Sequence, residues 1–405
     1  LPGPALKKPL PPPPAPALPP PPAAPAPPAL PEHMFASGWL PMSTDEHMFL
    51  ELEHGLGAVP EGVRVQVVGQ SRPGLVFEGV GGARSTQLRS TNDEGGGVLY
   101  AVDGSRVRVW APQGRYLTFA KDGWGGEADR IGDRNGLVRV EATTAGRAAA
   151  FDSGWFKFSS QQGTGSFTEV AHSLPQTPEH VRVLVRSLTG ANAGFIFEGI
   201  GAMTHDDDQD AAYGGVVFAY DSASVRLWAP SKNNRYATGR VVWVGDGWGG
   251  GMHSSTEQTA EVRVLAWDAP PFGSADFDSG WFAMASQQGA ASYNEVTHGL
   301  AGSAETLHFT VEAKSERGWI FQGLGSGAAD DDGPNYGGLV FGYDATHVHL
   351  WAPDRNNDFD RGKIICVTDG WGAQNICTNR ATVRVRGWRQ TGGQPLPPPL
   401  PPSLP

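Results

Sequence analysis

The same set of aromatic and glycine landmarks occurs three times along this chain, at a period of about 120 residues. The first landmark is Ser-Gly-Trp, the second is Trp-Ala-Pro and the third is Asp-Gly-Trp-Gly, and their order is the same in each copy. Their tryptophans are, copy by copy, Trp39, Trp110 and Trp124; Trp155, Trp228 and Trp248; Trp281, Trp351 and Trp371. Self-similarity at a fixed period constrains the fold more than any other feature. It predicts a series of like modules and not one large enzyme domain.

The period is too long for a solenoid repeat, whose units run roughly 20–50 residues. Each copy is long enough to bury a core of its own, and 405 residues could hold about two to four domains. We therefore expect three independent domains in tandem. The predicted boundaries are residues 33–145 for copy one, 146–270 for copy two and 271–390 for copy three.

Both ends of the chain are rich in proline. Residues 1–32 are almost wholly Pro, Ala and Leu, and the C-terminal segment 391–405 repeats the style from residue 394 onward, with Pro and Leu. Proline fixes φ and removes a backbone donor, which excludes helix and sheet and favours polyproline II at about 3.1 Å per residue. The N-terminal arm could thus reach roughly 100 Å. We interpret the two segments as stiff spacers or recognition strands.

Within the copies the hydrophobic pattern has a period of two. In copy two, residues 181–185, 216–220 and 225–228 are short runs of β-branched and aromatic residues bounded by Gly, Asp and Asn. No stretch has a convincing helical period. About eight such strands per copy predict an all-β fold of three tandem antiparallel β-sandwich domains, jelly-roll-like, with polyproline II arms at both ends.

Composition excludes several classes of function. The formal net charge of -11 argues against a nucleic-acid partner, because phosphate binding needs clustered Lys and Arg. No run of 18 apolar residues occurs, so no membrane span is expected. Nucleophile-elbow, phosphate-loop and HExxH zinc motifs are absent from the sequence, and we predict that the protein is not an enzyme. We interpret the start at Leu1 as that of a mature or excerpted product of a secreted protein.

The third landmark is the candidate binding surface. Its Gly-rich turn could present a flat indole face to a sugar or to a polyproline ridge, and the alternative is that each tryptophan caps its own sandwich core. The candidate residues are Trp124, Trp248 and Trp371 with Asp122, Asp246 and Asp369. Both interpretations stay open at this point.

A Glu-x-x-His column also recurs, with Glu51, Glu169 and Glu295 followed by His54, His172 and His298. Positions i and i+3 of an extended strand point to opposite faces, so an acid/base dyad is not expected. A histidine at a strand end, hydrogen-bonded to backbone, is the favoured interpretation. Arg108 and Arg226 alternate with apolar neighbours and are predicted to lie on the solvent face.

Carboxylates cluster in the loop that precedes a Gly-Gly strand start. They are Asp206, Asp207 and Asp208 in copy two, and Asp330, Asp331 and Asp332 in copy three. Such a cluster could hold Ca²⁺, which takes six to eight oxygens, or could be a solvated loop whose charge opposes aggregation. Ca²⁺ is the one metal cofactor that the sequence raises.

The two cysteines, Cys366 and Cys377, flank the third Asp-Gly-Trp-Gly turn. A pair on either side of one loop in an otherwise cysteine-free chain predicts a local disulfide, and two unpaired buried thiols are the alternative. Two cysteines alone do not supply the four ligands of a structural zinc site.

The start of each copy resembles an H-type lectin sandwich. In copy two this start comprises the Ser-Gly-Trp strand at residues 151–156, a Phe-bearing strand at 167–174 and Pro178 before a Val-x-Val strand. The resemblance covers about 40 residues per copy and implies a β-sandwich. The later landmarks depart from that family, so its sugar-binding residues are not carried over.

The arms resemble the hydroxyproline-rich glycoproteins of algal walls and extracellular fibres. That resemblance implies hydroxylated prolines with O-linked sugars, for which the candidates are Pro12, Pro13, Pro20, Pro21, Pro398, Pro399 and Ser403. The sequence as a whole predicts a secreted structural subunit that forms a head-to-tail homopolymer through its arms. The alternative is a multivalent lectin or adhesin that binds glycans.

Overall fold

The computed structural model describes residues 31–84, 94–205, 212–231, 239–330, 335–354 and 362–390. The two Pro-rich arms lie outside the described residues, and so do their glycosylation candidates. The described chain is all-β and contains several antiparallel sheets. Its helical segments are single 3₁₀ turns at Glu127–Asp129, Gly163–Ser166, Gly190–Asn192, Gly251–His253, Gly289–Ser292 and Ala304–Thr306. None of the described helices is long and apolar enough to cross a membrane.

Each copy contributes more strands than the eight expected from its sequence. Copy one forms β1 (Met34–Ser43), β2 (Phe49–Glu53), β3 (Gly62–Gly69), β4 (Val76–Glu78), β5 (Ala83–Arg84), β6 (Leu99–Val102), β7 (Arg106–Trp110), β8 (Thr118–Ala120), β9 (Ile131–Asp133) and β10 (Asn135–Thr143). Copy two forms β11 (Phe151–Asp152), β12 (Phe156–Ser159), β13 (Phe167–Ala171), β14 (His180–Arg186), β15 (Ile196–Glu198), β16 (Tyr213–Gly214), β17 (Val217–Tyr220), β18 (Ser224–Trp228), β19 (Gly239–Arg240), β20 (Val242–Val244), β21 (Ser255–Glu257) and β22 (Thr259–Trp267). Copy three forms β23 (Phe277–Asp278), β24 (Phe282–Ala285), β25 (Tyr293–Thr297), β26 (Leu307–Lys314), β27 (Ile320–Gln322), β28 (Tyr336–Gly337), β29 (Val340–Tyr343), β30 (His347–Trp351), β31 (Gly362–Lys363), β32 (Ile365–Val367), β33 (Ile376–Thr378) and β34 (Arg380–Arg389).

The period-two pattern sets which face of each strand is buried. In β14, Val181, Val183 and Val185 are at most 1% exposed, while Arg182 and Arg186 on the alternate face are only partly buried. Successive side chains of a strand point to opposite faces, and the branched valines pack well on a pleated surface. The equivalent strand β26 alternates in the same way over its first half, whereas β3 is buried on both faces from Arg64 to Gly69.

Each of the three large sheets joins strands from two different copies. The first has the order β1-β10-β3-β4-β29-β30-β25, the second β11-β22-β14-β15-β6-β7-β2 and the third β13-β18-β17-β27-β26-β34-β23. The sheets cross from one copy to the next at single residue pairs, Tyr343 with Val76, Ile196 with Val102 and Tyr220 with Ile320. Copy one thus pairs with copy two, copy two with copy three, and copy three with copy one. The three copies form a closed ring.

The hydrophobic cores also cross the copies. The tryptophan of each Trp-Ala-Pro landmark is buried in the core of the next copy around the ring, where it stacks on a phenylalanine. Trp110 stacks on Phe197, Trp228 on Phe321 and Trp351 on Phe77. All three tryptophans are 0% exposed. The expectation of three independent cores therefore differs from the structure, because each core is completed by a side chain of its neighbour.

Gly-x-Gly segments allow the copies to meet closely at the centre of the ring. A Cβ atom on Gly81 would lie 2.0 Å from the carbonyl oxygen of Glu198, and one on Gly201 would lie 1.8 Å from that of Gln322. At Gly325 the same distance to the carbonyl oxygen of Glu78 would be 1.8 Å. Each glycine of one copy thus faces the backbone of another, and no larger residue fits at these contacts.

Candidate functional site

The second and third landmarks of neighbouring copies contact each other. Pro112 pairs through backbone with Trp248, Pro230 with Trp371 and Pro353 with Trp124. Each Asp-Gly-Trp-Gly indole also donates its Nε1–H to a backbone carbonyl of another copy: Trp124 to Ala329 at 2.9 Å, Trp248 to Arg84 at 2.7 Å and Trp371 to His205 at 2.7 Å. These landmarks therefore hold the ring together.

This arrangement separates the tryptophans from the aspartates of the predicted binding surface. Trp124 is 0% and Trp371 is 2% exposed, so neither ring offers an open face for a sugar or a polyproline ridge. Asp246 and Asp369 are exposed, and the side chain of Asp122 forms ion pairs with Lys121 and Arg130. Trp248 alone among these three tryptophans is only partly buried.

Copy one, which contacts the turn of Trp248, differs from the other two copies by one glycine. Tyr213 and Tyr336 donate their hydroxyls to the carbonyls of Gly370 and Gly123, inside the turns that carry Trp371 and Trp124. Copy one has Gly95 at the equivalent position, where a Cβ would lie 2.2 Å from the carbonyl oxygen of Ala328. Beside Trp248 there is a recess of about 440 Å³, which is also lined by Gln113, Arg240, Trp243 and Asp246.

The recurring histidines bridge backbone groups, as the strand geometry predicted. The Nε2 atom of His54 lies 3.2 Å from the carbonyl of Asp103, and its Nδ1 accepts from the amide of Leu56. His172 and His298 make the same two contacts in their copies. Since Nδ1 accepts, Nε2 carries the proton, and the histidine is occupied by the turn and is not paired with the glutamate.

The arginines Arg108 and Arg226 do not lie free on the solvent face. The Arg108 side chain is 4% exposed and covers the ring of Phe195 in copy two at 4.1 Å, while Arg226 covers Trp319 in copy three at 3.8 Å. Their partners across the strand are Glu51 and Glu169. The expectation failed because the face that is outward within one copy is covered by the next copy.

The acidic loops are only partly described. Asp206, Asp207, Asp208, Asp331 and Asp332 lie outside the described residues. Asp330 is 1% exposed, and its Oδ2 accepts the backbone amide of Glu94 in copy one. Nowhere in the described ranges do three or more His, Cys, Asp or Glu side chains converge as metal ligands. The Ca²⁺ site stays a prediction.

Cys366 and Cys377 are joined by a disulfide across the hairpin of β32 and β33. The equivalent cross-strand pairs are Phe119 with Gly132 in copy one and Trp243 with Thr256 in copy two. Copy three therefore has a covalent link where the other copies have one large and one small side chain.

A large cavity lies where the three copies meet. This axial cavity has a volume of about 670 Å³ and is lined by residues of all three copies, including the Gly-x-Gly segments and the buried Val65, Val183 and Val311. Its lining also includes the exposed His33, Gly146 and Phe272, which mark its mouth. A cavity of this volume, with both apolar and charged side chains in its lining, is within the size range of ligand sites.

An aromatic cluster forms one side of the mouth. The ring of Phe272, which is 46% exposed, lies 4.6 Å from the ring of His308, 5.5 Å from that of Trp388 and 5.7 Å from that of His180. Trp267 packs on His180 at 5.4 Å. These five residues are called the mouth cluster below.

Copy one leaves the mouth open on its side. The cross-strand pairs His180 with Trp267 and His308 with Trp388 are equivalent to Gly62 with Thr143 in copy one. Two small residues stand there in place of two aromatic pairs. The cavity is therefore walled by rings on two sides and by small side chains on the third.

The charges inside the cavity are compensated. Arg64 pairs with Glu78 at 2.9 Å, and Arg182 pairs with Glu198. Burial lowers the pKa of His180 to about 3, and nearby Arg182 and Arg386 act in the same direction. Burial also lowers the pKa of His308 well below its ordinary value, with Arg64 and His180 adding to the effect. Both histidines are thus neutral near pH 7.

Sequence reasoning did not identify this cavity. Its walls come from β3, β14 and β26 with their neighbours, which lie far apart in the chain and form one surface only when the ring closes. The linker residue Phe272 was a possible signal, because an aromatic side chain follows Pro270 and Pro271 in an otherwise polar junction. No family model and no curated protein matches this chain.

Proposed function

We propose that the protein is a structural subunit of an extracellular filament or matrix, joined to neighbouring copies through its Pro-rich arms. The observation that carries the proposal is the position of the chain ends. His33 and Gln390, which lie close to the two arms in sequence, both line the axial cavity. The described part of the chain thus begins and ends beside one cavity, which supports a common origin for the two arms and leaves the rest of the ring as the surface on which the arms of other copies would dock.

The ring itself suits a load-bearing subunit. Its copies are held by strand pairing and by buried tryptophans inserted from each copy into the next, so the exposed junctions at residues 145–148 and 272–274 are not the only connection between them. Residues 1–30 in polyproline II would extend roughly 90 Å, which is far enough to reach a neighbouring ring. A heterologous contact of this kind propagates into a fibre.

The test compares the full chain with a chain in which residues 1–30 are replaced by Gly and Ser. Electron micrographs and sedimentation velocity should show filaments for the full chain and single rings for the variant. The Gly/Ser arm is the matched control, since it keeps the length and removes the polyproline II preference. Identical filaments from both chains would exclude the arm mechanism, and a full chain that stays a single ring at high concentration would exclude the filament.

Modification of the arms belongs to the same proposal. The prolines and Ser403 named above would carry hydroxyl groups and O-linked sugars, which stiffen and solvate an extended arm. Intact-mass measurement of the protein from its natural source, before and after removal of each arm by proteolysis, would locate the added mass. An unmodified mass in both arms would remove this part of the proposal.

A lectin function is the second candidate, favoured by the recess beside Trp248. The partly exposed indole, the Asp246 carboxylate and Arg240 lie around one opening, which is a combination suited to a sugar ring. Saturable glycan binding should weaken at least tenfold in Trp248→Ala and stay unchanged in Met252→Ala, an 87% exposed neighbour in sequence. A glycan array without a reproducible hit would count against this candidate.

A further inference from the structure

The C-terminal arm begins on the wall of the axial cavity. The backbone amide of Gln390 donates to the carbonyl of Thr306 at 2.7 Å, and its side-chain oxygen accepts from Arg64 at 3.3 Å. Arg64 and Gln390 both line the cavity. We propose that the segment which follows folds back, so that residues 395–400 occupy the axial cavity of their own chain. This inference concerns the C-terminal arm alone, assigns the contact between neighbouring copies to the N-terminal arm, and does not rest on filament formation.

The sequence after Gln390 permits the reversal. Gly392 and Gly393 lie one residue, Gln394, before the Pro-rich run of residues 395–400. Glycine adopts the left-handed conformations that a tight turn requires, so the chain can change direction before the first proline. The run itself is preset as polyproline II and loses little conformational entropy on docking. A tether this short holds the segment at an effective concentration on the order of millimolar.

The open side of the mouth is where the segment starts. Arg64, which holds Gln390, belongs to copy one, and copy one is the copy with Gly62 and Thr143 in place of the aromatic pairs. The chain can therefore enter past small side chains and pack against the aromatic side opposite. The small side chains of copy one would thus provide the entrance through which the segment reaches the cavity.

The mouth cluster matches the chemistry of a proline-rich strand. Proline offers ring faces and carbonyl acceptors but no backbone N–H, and aromatic grooves recognise such strands. The exposed ring of Phe272 provides an apolar face. Both ring nitrogens of His308 are buried and have no hydrogen-bond partner among the described residues.

The charges of the two arms favour the C-terminal arm as the occupant of the axial cavity. Residues 391–405 contain no charged side chain, whereas the N-terminal arm carries Lys7 and Lys8. Arg64 and Arg182 in the cavity already pair with Glu78 and Glu198, so an ammonium group that entered beside them would compete with an existing ion pair. An uncharged strand enters without that cost.

The first experiment is a cysteine cross-link in the unglycosylated full chain, which keeps its native disulfide. Phe272→Cys combined with Leu396→Cys should form a disulfide within one chain, seen as a mobility shift that tenfold dilution does not change. The matched control is Met252→Cys with Leu396→Cys, because Met252 is exposed and does not line the axial cavity. Equal cross-linking of both pairs would overturn the proposal, and so would cross-linked dimers that disappear on dilution, which would show a neighbour's arm in the cavity.

The second experiment removes the proposed occupant from the axial cavity without changing the length of the chain. Residues 394–405 are replaced by Gly and Ser, and the probe is a fluorescent peptide of residues 391–405. The probe should bind the replaced chain at least tenfold more tightly than the natural chain, whose own segment competes. Phe272→Asp in the replaced chain should remove this binding while leaving the unfolding temperature within a few degrees. Equal binding to both chains, or none to the replaced chain, would overturn the proposal whether or not filaments form.

Discussion

The indole of Trp351 stacks on the ring of Phe77, with 5.8 Å between the ring centroids. Phe77 lies in copy one and Trp351 in copy three, so this contact joins the last copy of the chain to the first. Trp110 and Trp228 make the equivalent contacts with the copy that follows them, at 5.9 and 6.1 Å. The ring is thus closed by the same interaction three times.

Replacing Trp351 with Ala should destabilise the whole ring and not one copy. The side chain is fully buried, and truncating a buried tryptophan costs about 3–5 kcal/mol of unfolding free energy. Urea unfolding followed by circular dichroism should show one transition shifted to lower urea. Trp281→Ala is the control, since that ring is 36% exposed and its loss should cost much less. A separate early transition with a third of the amplitude would contradict the closed ring.

A methyl group at the centre of the ring should not be tolerated. In Gly325→Ala the new Cβ would meet the carbonyl oxygen of Glu78 at 1.8 Å, so backbone of two copies must move apart. Overpacking of this kind costs about 1–3 kcal/mol, and rigid backbone places the cost at the upper end. Thermal denaturation should show the loss. Gly74→Ala has no atom within 4 Å of its Cβ and serves as the control; equal unfolding temperatures for the two variants would contradict the prediction.

Removing the disulfide should lower the unfolding free energy of the ring without unfolding it. The bond between Cys366 and Cys377 closes a loop with a sequence separation of 11, and loss of a cross-link over so short a loop costs about 3 kcal/mol. We expect the double variant Cys366→Ala/Cys377→Ala to unfold at lower denaturant concentration with an unchanged slope. Reducing agent added to the natural protein should have the same effect, and no response to either change would argue against the bond.

Acid should destabilise the protein through His180. Its pKa is lowered from 6.5 to about 3 in the folded state, so the unfolded chain binds the proton first. The stability from the neutral ring is complete above pH 6.5 and is lost as the pH falls below it. Between pH 7 and 5 the loss is about 2 kcal/mol. His180→Phe should lack this part of the pH dependence, and parallel stability curves for the two proteins would contradict the assignment.

Local chemistry was predicted well from the sequence. The all-β class follows from the period-two runs, and the role of His54 follows from the geometry of an extended strand. The positions of Arg108 and Trp124 were harder to predict. Each belongs to a strand or turn whose outer side is covered by another copy. The sequence pattern within one copy cannot predict burial by a neighbouring copy.

The periodicity of the chain determines that there are three like units, because side-chain alternation and turn residues act over a few neighbouring positions. Which unit completes the core of which depends on contacts between residues more than a hundred positions apart, as between Phe77 and Trp351. The axial cavity exists only after those contacts close the ring. The walls of the cavity are joined by packing between copies. Because this packing is non-local, only the tertiary structure decides that the cavity exists.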